Sequence, residues 1–297
     1  MRENPEIGRS IDAGGIRTNY HDEGEGRPVL LIHGSGPGVS AWANWRLTLP
    51  ELAKEFRVVA PDIVGFGFTE RPEGISYTRE SWTNHLGSVI DALGLGEVDV
   101  VGNSFGGAMA LSLAVARPAQ VRRIVLMGAV GIHTPISPGL DAIWGCEPTY
   151  EDMSRVTPLF AYDKSQITDD LVRLRTAAFA RPEVAQAWAQ MFPAPRQRWL
   201  DALALDDDEI RSVRQETLVV HGREDEVIPL AGSRKLAALL PRNDLARVRP
   251  VRALGPDRGG RPLLPARRRL LAPRAVVLRI PATSARRPTT GVDLIPG

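Results

Sequence analysis

The sequence predicts an α/β fold in which a mostly parallel, doubly wound sheet carries an inserted helical cap. Short, nearly all-apolar segments alternate with stretches of helical length, which is typical of parallel strands that are buried on both faces. A proline-rich stretch without strand signals interrupts this alternation between residues 131 and 208. A chain of 297 residues is long enough for one such domain with an insertion.

The predicted strands are short and rich in branched apolar residues, and most of them lead into a helix. The strands cover residues 28–33, 56–60, 98–102, 123–127 and 217–221. The helices that pack on them cover residues 45–54, 77–93, 107–117 and 231–240. We therefore expect a sheet domain made of residues 1–130 and 209–242, with the helical cap at 131–208 between the two parts.

Composition excludes several classes of protein. No apolar run approaches the roughly 18 residues of a membrane-spanning helix, and the N-terminus lacks the apolar core of a signal peptide. The single cysteine, Cys146, excludes an internal disulfide and a cysteine-based zinc site. We expect a cytoplasmic protein that binds neither a membrane nor a nucleic acid.

The net charge of +2 conceals a basic tail. Residues 243–297 contain 12 arginines and 3 acidic residues, so the preceding residues carry a net charge of −7. The tail also holds 8 of the 24 prolines, a density that cannot continue a helix or a central strand. A basic tail on an acidic body is typical of a nucleic-acid-binding arm, but a shifted reading frame, described below, explains it better.

Residues 102–106 read Gly-Asn-Ser-Phe-Gly, a G-x-S-x-G motif between a predicted strand and a predicted helix. A sharp strand–turn–helix connection of this kind presents one serine, here Ser104, as the nucleophile of a hydrolase. The two glycines let strand and helix pack closely while the serine backbone is strained. The alternative is an incidental serine in a tight turn, and the flanking strand and helix favour the nucleophile.

A serine nucleophile needs two N–H groups that stabilise the oxyanion, and an acid that orients a base. The residue after the nucleophile, Phe105, supplies one N–H group. A glycine-rich segment at 33–38 follows an earlier predicted strand, and Ser35 is its best candidate for the second donor. A generic glycine-proline turn is the alternative, but the segment stands in the expected order before the serine.

The acid is expected at the carboxyl end of the strand that ends at residue 221. We choose Asp225, because the neighbouring Glu224 and Glu226 fit solvated loop charges better. Asp62 follows an earlier strand and is the competitor, although that position more often stabilises its own loop.

The base is missing from this sequence. The chain order Ser, Asp, His demands a histidine beyond Asp225, whereas all five histidines precede it. His33 and His221 end predicted strands, where an imidazole usually serves loop hydrogen bonds. His133, at the start of the cap, is the histidine that we consider as a substitute base.

The glycine-rich loop, the strand–turn–helix connection at Ser104 (the elbow) and the acid Asp225 are now placed. With these features the chain resembles the α/β-hydrolase superfamily and, within it, the meta-cleavage product hydrolases. The elbow and the glycine-rich loop are specific to the superfamily, whereas stretches of the cap are specific to the subgroup. The matching stretches lie at 33–45, 101–107, 127–148, 191–203 and 221–225. All of them precede the basic tail.

The resemblance implies an α/β-hydrolase core and hydrolysis of a carbon–carbon bond in the ring-fission product of a catechol. No metal or cofactor is implied. Matched residue by residue, it makes Ser104 the nucleophile and Asp225 the acid. It makes the N–H groups of Ser35 and Phe105 the oxyanion donors.

The resemblance also assigns the contacts with substrate. It gives the carboxylate and 2-oxo end of the substrate to Asn44, Asn103 and Arg175, with Ser165 and Gly36 nearby. The substrate is a small dienol or diketo acid, and a planar guanidinium suits its carboxylate. We expect the protein to be a homo-oligomer.

Two other interpretations stay open. A carboxylesterase-type serine hydrolase would share every catalytic feature and differ in the cap. A catalytically impaired homologue would bind the ligand without turning it over. Rates on p-nitrophenyl esters and on a ring-fission product distinguish these interpretations.

The tail departs from the pattern of the family, which ends with a strand, Gly-His-Trp and a helix. Permissible codons for residues 246–258, read one nucleotide later, give His-Val-Phe-Gly-Arg-Cys-Gly-His-Trp-Ala-Gln-Ile. The histidine of the recovered Gly-His-Trp straddles the codons of Ala253 and Leu254. We therefore infer a frameshift, and we expect the last strand and helix to be missing and residues 243–297 to be disordered.

The nucleotide sequence tests this inference. We expect an insertion or deletion of one or two bases near the codon of Leu245 to restore Gly-His-Trp in the alternative frame. A gene in which no such change restores those three residues contradicts the frameshift.

Overall fold

A nine-stranded sheet forms the centre of the structure, a computed structural model that describes residues 4–161, 163–248 and 292–295. The strands are β1 (Arg9–Asp12), β2 (Arg17–Glu23), β3 (Pro28–Ile32), β4 (Arg57–Pro61), β5 (Val98–Asn103), β6 (Val121–Met127), β7 (Glu216–Gly222), β8 (Asn243–Val248) and β9 (Val292–Ile295). Their order in the sheet is β1-β2-β4-β3-β5-β6-β7-β8-β9. The strands from β3 to β8 are parallel, whereas β1, β2 and β9 pair antiparallel. The predicted α/β fold with a mostly parallel sheet is confirmed.

The helices of the described residues fall into two groups. Those between strands of the sheet are α1 (Ala41–Trp45), α2 (Leu49–Leu52), α3 (Arg79–Ala92), α4 (Phe105–Ala116) and α11 (Leu230–Leu239). Those between β6 and β7 are α5 (Pro138–Trp144), α6 (Tyr150–Val156), α7 (Asp169–Phe179), α8 (Pro182–Met191), α9 (Gln197–Leu203) and α10 (Asp207–Ser212). The second group covers the stretch that we interpret as the cap. None of the described helices has the length and apolar character needed to cross a membrane.

Apolar side chains cover both faces of the sheet. Along β3, Leu30 and Ile32 belong to one apolar cluster, whereas Val29 and Leu31 belong to the cluster on the opposite face. All four are fully buried, which explains why the strand is apolar at every position. Each such side chain contributes roughly 1.5–3 kcal/mol to the stability of the fold. The strands therefore form a rigid support for the loops at their carboxyl ends.

The helix predicted over residues 45–54 is two short helices, α1 and α2. The first ends at Trp45, with Arg46 as its C-cap, and the second has Pro50 in its first turn. Proline lacks an amide proton, and its ring clashes with the carbonyl four residues earlier, so a helix cannot run through this position. The prediction of one helix was wrong because the apolar periodicity continues across this break.

The N-terminal hairpin of β1 and β2 was absent from the sequence prediction. Its strands pair with each other and with β4 in antiparallel registers. The strand Arg17–Glu23 mixes polar and charged residues, and this gives no apolar run. Thr18 and Asn19 are nevertheless buried, and hydrogen bonds satisfy their side chains, so the strand needs no apolar run to fold into the sheet.

The expected absence of the last strand was wrong. Residues Asn243–Val248 form β8, which pairs in parallel register with β7. Leu245 and Ala246 are buried, and the pairing uses backbone N–H and C=O groups that every residue except proline carries. The expectation of disorder is therefore also wrong for these residues. The expected loss of the final helix concerns residues 249–291, which lie outside the described residues.

Gly106, near the start of α4, marks the closest approach between that helix and β3. A Cβ atom added to it would lie 2.3 Å from the carbonyl oxygen of Ile32 and 2.7 Å from that of His33. We expect Gly106→Ala to lower the free energy of unfolding by about 2–3 kcal/mol, because backbone must move to admit the methyl group. Denaturant unfolding measures this change.

Gly232, near the start of α11, provides the matched control. Its added Cβ atom would meet its nearest neighbour, in Ile132, at 3.9 Å. We expect Gly232→Ala to be neutral or to stabilise the fold by up to about 1 kcal/mol, because alanine favours a helix over glycine. Equal losses of stability in the two variants would contradict the proposed close contact at Gly106.

Candidate active site

Ser104 stands at the turn between β5 and α4 with a left-handed backbone, φ 52° and ψ −113°. No other non-glycine residue among those described has a positive φ. Its N–H group donates to the carbonyl oxygen of Met127 at 2.8 Å, and its carbonyl oxygen accepts from Val130 N–H at 3.2 Å. A Cβ atom at Gly102 would lie 2.3 Å from the carbonyl oxygen of Gly106, so the predicted glycines are required here. The strain, of order 1–3 kcal/mol, is characteristic of a functional turn.

The Ser104 side chain is partly exposed, and its hydroxyl makes no hydrogen bond within the described chain. It lies directly before the first turn of α4, where backbone N–H groups have no partner inside the helix. Phe105, the first residue of α4, is fully buried, so its N–H group is fixed next to the hydroxyl. This arrangement can present a nucleophile beside an oxyanion donor.

The loop after β3 lies against the nucleophile. A Cβ atom at Gly34 would sit 3.5 Å from Ser104 Cβ. Gly34 N–H donates to Asn44 Oδ1 at 3.0 Å, and Asn103 Nδ2 donates to the same oxygen at 3.1 Å. Asn44 and Asn103, both predicted to contact substrate, therefore connect the loop to the end of β5.

Ser35 follows Gly34 in this loop and is buried. Its hydroxyl accepts a hydrogen bond from Trp144 Nε1 at 3.0 Å. Trp144 belongs to α5 and stacks on Phe192, with ring centroids 4.3 Å apart. The cap region thus fixes the residue that we predict to be the second oxyanion donor, through a contact that no sequence motif predicts.

Arg175, on α7, reaches the same loop. Its Nη2 atom lies 3.8 Å from the position of a Cβ atom at Gly36. The guanidinium forms no ion pair or hydrogen bond within the described residues. Burial lowers the pKa of Arg175; Arg46 adds to this effect and Glu6 opposes it. The loop after β3, residues 33–40, is called the oxyanion loop below, after the role predicted for Ser35. An unpaired, partly buried guanidinium beside this loop can bind a carboxylate.

Ser165 lies elsewhere in the cap region. It is exposed, and its hydroxyl donates to Asp163 Oδ1 at 2.6 Å within a short 3₁₀ turn. No described contact joins it to Gly36 or to the nucleophile. Its predicted place near the substrate stays a prediction.

Asp225 lies beyond β7, and its two carboxylate oxygens have different surroundings. Oδ1 accepts from Val227 N–H at 2.9 Å and from Ile228 N–H at 2.8 Å. Oδ2 lies 3.1 Å from the position of a Cβ atom at Gly128. The residue before Gly128, Met127, accepts the hydrogen bond from Ser104 N–H. One oxygen is therefore anchored while the other faces the elbow. This is the arrangement that an acid needs to orient a base.

Asp62, the competing acid, serves its own loop. It is fully buried and accepts hydrogen bonds from Phe68 N–H at 2.8 Å and from Asn19 Nδ2 at 2.8 Å. Burial raises the pKa of Asp62 to about 6, although these hydrogen bonds oppose the shift. The carboxylate fixes the loop after β4.

Three buried histidines, His33, His85 and His221, use both ring nitrogens in structural hydrogen bonds. His33 bonds to Gly34 O and to Ile63 N–H, and His85 bonds to Thr18 Oγ1 and to Val64 N–H. Burial lowers the pKa of each of these two to about 4. Both are therefore neutral and committed to the fold.

His221 lies next to the acid but is also committed. Its Nε2 atom is 3.9 Å from Asp225 Oδ2, yet it bonds to Ile228 O at 2.9 Å, while Nδ1 bonds to Ser233 Oγ at 2.7 Å. Burial lowers the pKa of His221, and the charge of Asp225 opposes the shift. The side chain is fully buried, and no described hydrogen bond joins it to Ser104.

His133, the predicted substitute base, lies on the cap side of the molecule. Its Nδ1 atom is 3.5 Å from Asp201 Oδ1, and more than half of its side chain is exposed. No described contact brings it to Ser104 or Asp225. In the part of the chain that the structure describes, no group of histidine, cysteine and acidic residues could hold a metal ion.

Comparison with known proteins agrees with this geometry. Residues 27–143 match the family described as alpha/beta hydrolase fold. A 2-hydroxy-6-oxo-2,4-heptadienoate hydrolase from Pseudomonas putida is 57% identical over 82% of this chain and 88% of that protein. A 2-hydroxymuconate semialdehyde hydrolase from Pseudomonas sp. strain CF600 is 53% identical over 82% of this chain and 86% of that protein. The chain belongs to the α/β hydrolases.

Solved structures narrow the assignment. A mutant of CumD, the meta-cleavage product hydrolase from Pseudomonas fluorescens, was solved in complex with acetates. It superimposes with a TM-score of 0.82 and 51% identity, covering 83% of this chain and 90% of that chain. Within the α/β hydrolases, the chain is therefore a member of the meta-cleavage product hydrolases, as the resemblance implied.

The buried neutral state of His33 predicts a pH dependence of stability. As the pH falls from 6.5 towards 4, the unfolded chain gains a proton at this residue while the folded chain does not. The free energy of unfolding should therefore fall over this window, by up to about 3 kcal/mol for this residue. In His33→Gln, we expect the slope of that free energy against pH to decrease by as much as one proton. Urea unfolding at several pH values between 7 and 4.5 measures the slope.

His133→Gln provides the control, because His133 is largely exposed in the folded chain. We expect its slope to equal that of the unmodified protein. An identical slope in His33→Gln would show that the imidazole of His33 titrates in the folded state.

Proposed function

We propose that Ser104 is the nucleophile of a hydrolase that cleaves a carbon–carbon bond in a meta-ring-fission product of a catechol. The substrate is 2-hydroxymuconic semialdehyde or an alkyl analogue. The observation that carries this proposal is the unpaired guanidinium of Arg175, which reaches from α7 to the loop after β3, the same loop that lies against the strained Ser104. Two relatives more than half identical to this chain are named as hydrolases of such compounds.

The substrate carboxylate binds Arg175 in this proposal. A bidentate guanidinium fixes the orientation of a planar dienolate, and no internal ion pair has to be broken first. The amides of Asn44 and Asn103, which share a hydrogen bond near the loop, contact the 2-oxo end. The dienol is converted to its keto form there, which makes the later leaving group a stabilised carbanion.

Ser104 then attacks the distal carbonyl carbon. The N–H groups of Ser35 and Phe105 stabilise the negative charge on the carbonyl oxygen. Collapse of the tetrahedral adduct breaks the carbon–carbon bond, and the dienolate leaves and takes a proton. Water hydrolyses the acyl-serine and releases a carboxylic acid. Asp225, with one oxygen anchored, orients the base that moves these protons.

The chain as written has no histidine that fits the role of this base, since all five precede Asp225 and no described hydrogen bond joins any of them to Ser104. We propose that the literal chain is therefore weakly active. The relatives match 82% of the chain, which leaves out a share about equal to residues 243–297. This supports the inference that the tail is translated out of frame. That the protein is cytoplasmic and a homo-oligomer stays a prediction from the sequence.

The activity test compares the literal chain with a frame-corrected chain that carries Gly-His-Trp. We expect the corrected chain to consume the yellow dienol substrate, and the literal chain to be slower by about 10⁴-fold or more, because one member of the triad is lost. Ser104→Ala in the corrected chain should remove the activity. Absorbance of the dienol measures all three rates.

Three results would contradict the proposal. A literal chain as fast as the corrected one would show that the missing histidine is not needed. A corrected chain that prefers p-nitrophenyl esters would indicate an esterase. Binding of the dienol without turnover by the corrected chain would indicate a binding protein.

A further inference from the structure

The N-terminal segment, residues 4–8, is fixed beside the site by one buried side chain. Asn19 Oδ1 accepts from Gly8 N–H at 2.8 Å, and Asn19 Nδ2 donates to Glu6 O at 3.0 Å. Asn19 lies on β2 and is itself buried. The position of Glu6 is therefore set by the sheet.

The carboxylate of Glu6 is directed at the oxyanion loop. Ser40 Oγ donates to Glu6 Oε2 at 2.6 Å. Ser40 is fully buried and also caps α1, where its hydroxyl accepts from Ala43 N–H at 3.0 Å. The loop that contains Gly36 thus ends at a residue that holds a carboxylate.

Glu6 and Arg175 reach the same loop. Glu6 Oε2 binds Ser40 Oγ, and Arg175 Nη2 lies 3.8 Å from the position of a Cβ atom at Gly36, four residues before Ser40. The negative charge of Glu6 raises the pKa of Arg175, against the stronger effect of burial. Neither side chain takes part in an ion pair within the described residues, so the guanidinium keeps its donors free. The positive charge of Arg46 acts in the opposite direction to Glu6 and lowers the pKa of Arg175.

We propose that Glu6 is a counter-charge that holds down the affinity of the Arg175 site for anions, and so is a specificity residue of this hydrolase. The inference rests on the proposed function for its substrate. In the empty site, the carboxylate compensates the partly buried guanidinium. When an anionic substrate or product occupies the site, the same carboxylate repels it through space. Glu6 thereby favours release of the dienoate product, which carries the same carboxylate as the substrate.

The test uses Glu6→Gln, which keeps an acceptor for Ser40 and removes the charge. Probes are 2-hydroxypenta-2,4-dienoate, benzoate and the neutral benzamide, titrated into the full chain by calorimetry. We expect Glu6→Gln to bind both anions about threefold to tenfold more tightly at low salt, and benzamide with unchanged affinity. The gain should shrink at 0.5 M salt, because the site is partly open to water.

Two further variants isolate the pair. Glu97→Gln removes an exposed charge just before β5, at the opposite end of that strand from Ser104, and should leave every affinity unchanged. In Arg175→Met, we expect weak anion binding that Glu6→Gln no longer improves. Equal anion affinities in Glu6→Gln and the unmodified protein overturn the inference, as does a gain that persists in the Arg175→Met background.

The dienoate and benzoate separate this inference from the proposed function. Failure of the unmodified protein to bind the dienoate contradicts the proposed substrate. Benzoate still reports the coupling between Glu6 and Arg175 in that case. Benzoate binding that is the same with and without Arg175 overturns the inference, because the guanidinium would then not be the anion site.

Discussion

The left-handed backbone of Ser104 is the constraint on which the remaining site depends. It persists because its N–H and C=O groups are bonded to Met127 and Val130, so it cannot relax without breaking both contacts. Glycine at 102 and 106 then allows β5, α4 and β3 to meet at backbone distance. The hydroxyl is held by packing of the core and not by a partner of its own. The nucleophile is thus positioned before any substrate arrives.

The polar groups around the nucleophile divide into those that support and those that remain free. The imidazoles of His33, His85 and His221 use both nitrogens in hydrogen bonds that join loops. The carboxylate of Asp62 likewise accepts hydrogen bonds within its own loop. The hydroxyl of Ser104 and the guanidinium of Arg175 have no such commitments. Buried neutral histidines cannot exchange protons near neutral pH without loosening the fold. This explains why these three of the five histidines do not supply a base.

Much of the fold could be predicted, because parallel strands that are buried on both faces must be apolar throughout. The hairpin at the N-terminus could not be predicted, since the strand Arg17–Glu23 is polar at nearly every position and contains no apolar run. Pro50 carried the signal for the break between α1 and α2, but apolar periodicity across it concealed that signal. Boundaries of the other helices differ from the predictions by a few residues, where capping hydrogen bonds decide.

Chain order predicted the positions of Ser104, Ser35 and Asp225 after their strands, whereas their catalytic roles stay predictions. Contacts between positions far apart in the chain could not be predicted. Trp144 bonds to a residue 109 positions away, and Glu6 to one 34 positions away. Such pairs depend on how loops are folded over the sheet, and neither periodicity nor a motif records that.

The pairing of β8 with β7 has a consequence for how a gene lesion would be noticed. Main-chain groups pair β8 with β7 whatever side chains they carry, so under the inferred frameshift we expect the sheet to form without the residues of the original frame. A screen based on protein yield or thermal unfolding would therefore not detect the change in the chain. The defect would become visible as the build-up of a coloured metabolite in a culture grown on an aromatic compound.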